Sequence, residues 1–137
     1  MIFFKESGHV SCERVNDVLT ITWLKFGSDE LVQRCCTSQL EQVKQGAKII
    51  IIDTRNTKGF ITTQTNTWFQ EKLFPDMQKA GIKAMITILS PNDAIVRLSS
   101  RQWKRAASPF GFAMYDAQTL DDANELAQKI LAGEPID

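Results

Sequence analysis

The chain has 137 residues, of which 43% are hydrophobic and 23% are charged. This length suits one domain spanning residues 1–137, and the composition is that of an ordinary globular protein, which argues against disordered and fibrous classes. Lysine plus arginine and aspartate plus glutamate number 16 each, so no net charge attracts nucleic acid or an anionic membrane.

The chain shows no targeting or membrane-spanning segment. The apolar residues 1–4 stop at Lys5, which is far too short for a signal peptide, and no apolar run approaches the roughly 20 residues that cross a bilayer. We therefore expect a cytoplasmic protein. Cys12, Cys35 and Cys36 have no framework spacing, and we interpret them as reduced thiols that serve as small apolar residues.

A hairpin and a helix are predicted for the first third of the chain. Residues 8–15 and 18–25 alternate in hydrophobicity as the two arms of an antiparallel pair joined by a two-residue turn. Ser28 is placed to cap a helix that opens with acidic residues. Gly46 is expected to end this helix in the left-handed conformation.

A strand, helix, strand unit is predicted next. Residues 48–53 contain four consecutive isoleucines, which is typical of a strand covered on both faces in a parallel sheet. A polar loop follows, and a helix begins near Thr62 or Thr63. Pro75 is expected to bend this helix, because its ring removes a hydrogen bond and clashes with the preceding turn.

The rest of the chain predicts two more strands and two more helices. A buried strand covers residues 83–89, and a helix follows over residues 92–107. A short strand is expected at residues 112–115. Thr119 is placed to cap the final helix, whose apolar stripe begins at Leu120.

This order of elements resembles the STAS/SEC14-domain, or SpoIIAA-like, family of small standalone proteins. The resemblance is carried by residues 18–23, 48–55, Trp68, 74–75, 80–81 and 83–90. It implies an α/β fold with a mixed sheet of four to five strands and about four helices, mainly on one side. It also implies a role as a regulatory or protein-interaction module rather than an enzyme.

The same resemblance implies two positions of phosphorylation. In the anti-sigma-factor antagonist branch of the fold, a serine or threonine at the start of the helix after the central strand is phosphorylated within an Asp-Ser-Gly-like sequence. Thr62 and Thr63 stand at the equivalent positions here. The Asp and Gly of that sequence are absent.

Polar residues at the carboxyl ends of the predicted strands form a candidate cleft, because ligands of open α/β sheets favour this edge. A small anionic or apolar ligand, lipid-like or nucleotide-like, is one interpretation; the other is that Asp53 and Arg55 pair with each other or satisfy loop amides. The candidate residues are Asp53, Thr54, Arg55, Thr62, Thr63 and Ser90.

Two further surfaces are candidates for a partner. A basic stripe recurs at helical spacing, and it either docks an acidic group or is a solvated helix face; it consists of Arg97, Arg101, Lys104 and Arg105. Trp68 and Phe74 fall at the margins of the apolar face of their helix, where they either pack under loops or form a patch for a partner or a second copy.

No catalytic, cofactor or metal motif is recognisable. His9 is the sole histidine, and it faces the opposite side of a strand from Cys12, so one metal ion cannot readily take both. We therefore expect a non-enzymatic domain that binds a partner or itself through the loop of residues 53–63 and the Trp68 helix. A carrier or sensor of a small ligand near Asp53 and Arg55 is the alternative.

Overall fold

The computed structural model describes residues 1–58, 61–89, 110 and 112–134. Within these ranges, six strands form one sheet in the order β1-β2-β3-β4-β5-β6. The first three strands are antiparallel and the remaining pairs are parallel. The strands are β1 Ile2–Glu6, β2 Val10–Val15, β3 Val18–Trp23, β4 Ile49–Asp53, β5 Ala84–Ile88 and β6 Ala113–Ala117.

The predicted α/β class and mixed sheet are confirmed, but the predicted number of four to five strands is wrong. The additional strand is β1, which pairs antiparallel with β2 at the edge of the sheet. It has no clean alternation of buried and exposed residues, because the two half-buried residues, Phe3 and Phe4, are adjacent and the other three are exposed. Hydrophobic periodicity therefore does not reveal it.

Helices cover the sheet from both faces. The helical segments are α1 Asp29–Lys44, α2 Thr63–Trp68, a π turn Phe69–Leu73, α3 Phe74–Ala80 and α4 Leu120–Leu131. Helix α1 and the α2–α3 segment share one apolar cluster with Ile50 and Ile52 of β4, whereas α4 packs against Ile49 and Ile51 on the other face. This explains why β4 is buried along its whole length, as its isoleucines predicted.

The predicted hairpin and helix ends are confirmed. Val15 pairs with Val18, and Asn16 turns the chain with a φ of 54°. Ser28 accepts a 3.1 Å hydrogen bond from the backbone N–H of Leu31 through its hydroxyl. Gly46 follows α1 with a φ of 109°, a conformation that a residue with a Cβ atom rarely adopts.

A π turn stands directly before Pro75, where the sequence predicted a bend. The backbone N–H of Phe74 donates to the carbonyl of Phe69, five residues earlier. Pro75, the second residue of α3, has no N–H to donate. In this wider turn, the residues four and five places after Phe69 lie on the same side of the helix as Phe69. Leu73 and Phe74 therefore both face the core.

The last two predicted elements are present with small differences. The final strand is Ala113–Ala117 rather than residues 112–115. Thr119 caps α4, since its hydroxyl accepts from the N–H of Asp122 at 3.1 Å. Leu120, which was expected inside, is 37% exposed, because it lies on the first turn of α4 and lines an open groove between this helix and strands β2 and β3. The helix expected over residues 92–107 lies outside the described residues.

Candidate functional site

Asp53 and Arg55 pair with each other at the carboxyl end of β4. The guanidinium of Arg55 donates from Nε to Oδ1 of Asp53 at 3.1 Å and from Nη2 to Oδ2 at 2.8 Å. The backbone N–H of Arg55 donates to Oδ1 as well, at 3.1 Å. The carboxylate thus closes a tight turn and neutralises the cation that an anionic ligand would need.

The pKa of Asp53 reflects this pairing. Burial of the carboxyl group raises its pKa, but the hydrogen bonds from the side chain and the backbone of Arg55, together with its charge, outweigh burial. The pKa of Asp53 therefore lies below its ordinary value, and the pKa of Arg55 is raised by the same bond. The pair stays ionised at neutral pH.

Thr54 is also engaged within the fold. Its buried hydroxyl donates a 2.8 Å hydrogen bond to the carbonyl of Ile88 at the end of β5. This bond joins the ends of two neighbouring parallel strands. Ser90, the other candidate at this edge, lies outside the described residues.

Thr62 and Thr63 occupy different environments at the start of α2. The hydroxyl of Thr62 accepts from the N–H of Thr65 at 3.1 Å, as a helix cap, and donates to Oδ1 of Asp29 at 2.8 Å. Thr63 is exposed. The hydroxyl of Thr62 therefore makes two hydrogen bonds within the fold, whereas Thr63 is exposed to solvent. Phosphorylation at either threonine stays a prediction.

A groove of about 640 Å³ runs between α1 and the α2–α3 segment, with Trp68 as one of its walls. Trp68 is half-buried, and its ring centroid lies 5.7 Å from that of the adjacent Phe69. At the β1 side, Phe4 lines the groove and carries the guanidinium of Arg34 over its ring at 5.7 Å. Aromatic rings therefore line the groove at two points.

The rim of this groove carries both signs of charge in equal number. Its acidic side chains are Glu30, Glu41 and Asp76, and its basic side chains are Arg34, Lys44 and Lys72. Lys44 and Glu41 form a weak ion pair at 3.5 Å, with each side chain more than half exposed. Such a surface complements a partner that presents apolar groups among mixed charges.

Phe74 does not belong to this surface. The interpretation of Phe74 as a margin residue is corrected by its complete burial in the core, where its ring contacts those of Phe69 at 5.6 Å and Phe112 at 5.7 Å. The reason is the π turn, which rotates Phe74 inward. Trp68 precedes that turn and remains half-buried.

Sequence reasoning found Trp68 but missed the other wall of the groove. The exposed face of α1 contributes Arg34 and Glu41, and β1 contributes Phe4. Helical periodicity marks the first two as solvent-facing. It does not reveal which element they face across the groove, because this depends on how α1 packs beside α2.

The basic stripe of residues 97–105 lies outside the described residues. His9 and Cys12 do not meet: His9 contacts the carbonyl of Ser7 at 3.2 Å, whereas Cys12 faces the core. In the described part of the chain, no group of three or more potential metal ligands occurs. No helix there is both long enough and apolar enough to cross a membrane.

Comparisons of this chain with protein-family models, curated proteins and solved structures found no match. Function therefore has to be inferred from the side chains and their geometry. Of these two candidate surfaces, within the described residues, the groove beside Trp68 is the more open to a further contact, because Asp53, Arg55 and Thr54 are already paired.

Proposed function

We propose that the protein is a non-enzymatic, STAS-like interaction domain that binds a protein partner or a second copy of itself beside Trp68. The antiparallel hairpin followed by parallel strands is consistent with the SpoIIAA-like resemblance. The binding surface consists of the groove between α1 and α2–α3 and the neighbouring loop of residues 53–63. Regulation by binding, rather than catalysis, is the activity that this surface suits.

The observation that carries this proposal is the half-buried Trp68 at the edge of a groove with charged rims. Tryptophan is enriched among the residues that dominate binding energy, particularly where polar groups surround it and exclude water. Its ring is already held against Phe69. A partner would therefore meet a side chain that loses little conformational entropy on binding.

The balanced charges of the rim support a protein partner over nucleic acid. Three acidic and three basic side chains line the groove, so a polyanion would meet repulsion as well as attraction. A protein surface with both signs of charge has no such difficulty. A second copy of this chain also meets the requirement, since each rim charge finds the opposite sign on the same surface.

A small anionic ligand near Asp53 and Arg55 is less well supported. Such a ligand would have to compete with the carboxylate of Asp53, which holds Arg55 at two points. It would also have to draw Thr54 from its bond to Ile88. Each replacement costs a charge-assisted or buried hydrogen bond.

The proposal is tested with three variants on one helical segment. Trp68→Ala removes the aromatic wall, Lys72→Glu reverses a rim charge, and Lys79→Glu makes the same reversal at an exposed position outside the groove. Affinity capture from the native cell identifies bound proteins, and sedimentation equilibrium measures self-association. Thermal melts establish that each variant is folded.

We expect Lys79→Glu to bind like the wild type and Trp68→Ala to lose about tenfold or more in affinity. Lys72→Glu should weaken binding less, and its effect should fade at high salt, because the charge is exposed. A partner that a folded Trp68→Ala variant binds as tightly as the wild type would contradict the proposal. So would equal losses in the two lysine variants.

A further inference from the structure

Two of the cysteines meet in the core although they are distant in sequence. The sulfur of Cys12 on β2 lies 3.3 Å from the sulfur of Cys35 on α1, across a separation of 23 residues. Both residues have no exposed surface. A disulfide bond is about 2.05 Å long, so the sulfurs need only a small approach to reach bonding distance.

We propose that Cys12 and Cys35 are an oxidative modification site, at which a hydroperoxide converts the two thiols to a disulfide that ties α1 to β2. Cys36 is the natural comparison, because it is the next residue along α1 and is also buried. Successive residues of a helix point about 100° apart. Cys36 therefore faces a different neighbour and stays a thiol.

The surroundings favour Cys35 as the sulfur that reacts first. The hydrogen bond between Cys12 and Cys35 lowers the pKa of Cys35, burial opposes this, and the amide of Gln39, at 3.5 Å from the sulfur, lowers the pKa further. The net pKa of Cys35 lies below its ordinary value. The bond to Cys35 and burial raise the pKa of Cys12, and the thiolate is the nucleophilic form of cysteine.

The reaction proceeds in two balanced steps. The Cys35 thiolate attacks one oxygen of the hydroperoxide, which breaks the O–O bond and gives a sulfenic acid and hydroxide or alkoxide. The sulfur of Cys12 then attacks the sulfur of this sulfenic acid and displaces its oxygen, which leaves as water after taking up the thiol proton. Overall, two thiols lose two electrons and two protons, and the peroxide is reduced to water or to water and an alcohol.

Burial determines when this reaction occurs. Peroxide reaches the two sulfurs only when α1 moves away from the sheet in a local opening. Once formed, the disulfide holds α1 against β2 and so opposes that opening. The oxidised protein should therefore unfold at a higher temperature than the reduced one. The formation of this disulfide does not depend on the proposed function.

The test exposes the folded, full-length protein to hydrogen peroxide and then blocks remaining thiols with an alkylating agent under denaturing conditions. Intact mass and non-reduced peptide mapping detect the bond. Cys35 and Cys36 lie in the same tryptic peptide, so Cys36→Ala is used to place the bond, and Cys35→Ala is its matched control. Fragmentation of the linked wild-type peptide gives the same information if a variant does not fold.

We expect the wild type and Cys36→Ala to form a Cys12–Cys35 bond that a thiol reductant reverses, and Cys35→Ala to form none. The melting temperature of the oxidised wild type should rise by about 5–10 °C. A bond to Cys36, a bond between two molecules, or oxidation of Cys35 to a sulfinic acid would overturn the proposal. So would unchanged thiols under peroxide that fully oxidises glutathione in the same solution.

Discussion

Thr62 donates a 2.8 Å hydrogen bond from its hydroxyl to Oδ1 of Asp29 and thereby joins the start of α2 to the start of α1. The hydroxyl of Thr65 donates to the same oxygen, also at 2.8 Å. One carboxylate oxygen thus holds two threonines that are more than thirty residues away in sequence. This connection fixes the end of the 53–63 loop beside the helix that forms one wall of the groove.

Replacement of Asp29 by alanine should lower the free energy of unfolding by about 2–3 kcal/mol. The main reason is Thr65, which is fully buried and would be left without the acceptor of its hydroxyl proton. A favourable interaction with the N-terminus of α1 is lost as well. Urea denaturation at neutral pH measures the change.

Glu30→Ala is the matched control, because Glu30 lies in the same first turn of α1 but is exposed. This variant removes the same kind of charge at the helix end but leaves the hydrogen bonds of both threonines in place. We expect its free energy of unfolding to fall by less than about 1 kcal/mol. Asp29→Asn keeps an oxygen acceptor, and its loss in the free energy of unfolding should lie between those of the two alanine variants. Equal losses for Asp29→Ala and Glu30→Ala would show that the two hydroxyl bonds contribute nothing.

The pair of Asp53 and Arg55 predicts a pH-dependent contribution to stability. The pKa of Asp53 in the folded protein is lowered from its ordinary value of 3.8. The stabilisation is therefore fully present above this ordinary value, and it is lost as the pH falls through the lower pKa of the folded state. Because Arg55 is 36% exposed, we expect only about 1 kcal/mol at neutral pH.

Arg55→Met removes the guanidinium and should lower the stability by that amount near neutral pH. The difference from the wild type should shrink as the pH falls below 3.8 and through the lowered pKa of Asp53, because the protonated carboxyl group no longer attracts the guanidinium. Lys44→Met is the control, since its ion pair with Glu41 is more than half exposed on both sides. A difference for Arg55→Met that stays constant with pH would contradict the assignment.

Local signals predicted the parts of the fold that depend on neighbours in sequence. Ser28 and Thr119 cap helices as expected, because a capping hydroxyl needs only the N–H three residues ahead. The isoleucines of β4 predicted its burial on both faces. In the candidate site, the pairing of Asp53 with Arg55 was one of the two interpretations that the sequence left open.

Features that depend on tertiary packing were not predictable in this way. The edge strand β1 is recognisable only from its pairing with β2. The acceptor role of Asp29 toward Thr62 requires two helix starts to meet in space. The contact of Cys12 with Cys35 likewise arises from the position of α1 on the sheet, which hydrophobic periodicity does not specify.

Trp68 and Phe74 lie on either side of the π turn, and their replacement by alanine should have unequal costs. Phe74 is fully buried among other rings, so Phe74→Ala should cost about 3–5 kcal/mol in the free energy of unfolding. Trp68 is half-buried, so Trp68→Ala should lower the free energy of unfolding by about half as much. Urea denaturation compares the two variants, with Phe74→Leu as a conservative control expected to lose less than Phe74→Ala. If Trp68→Ala proved as costly as Phe74→Ala, Trp68 would be a core residue, and the groove would lack the aromatic wall on which partner binding depends.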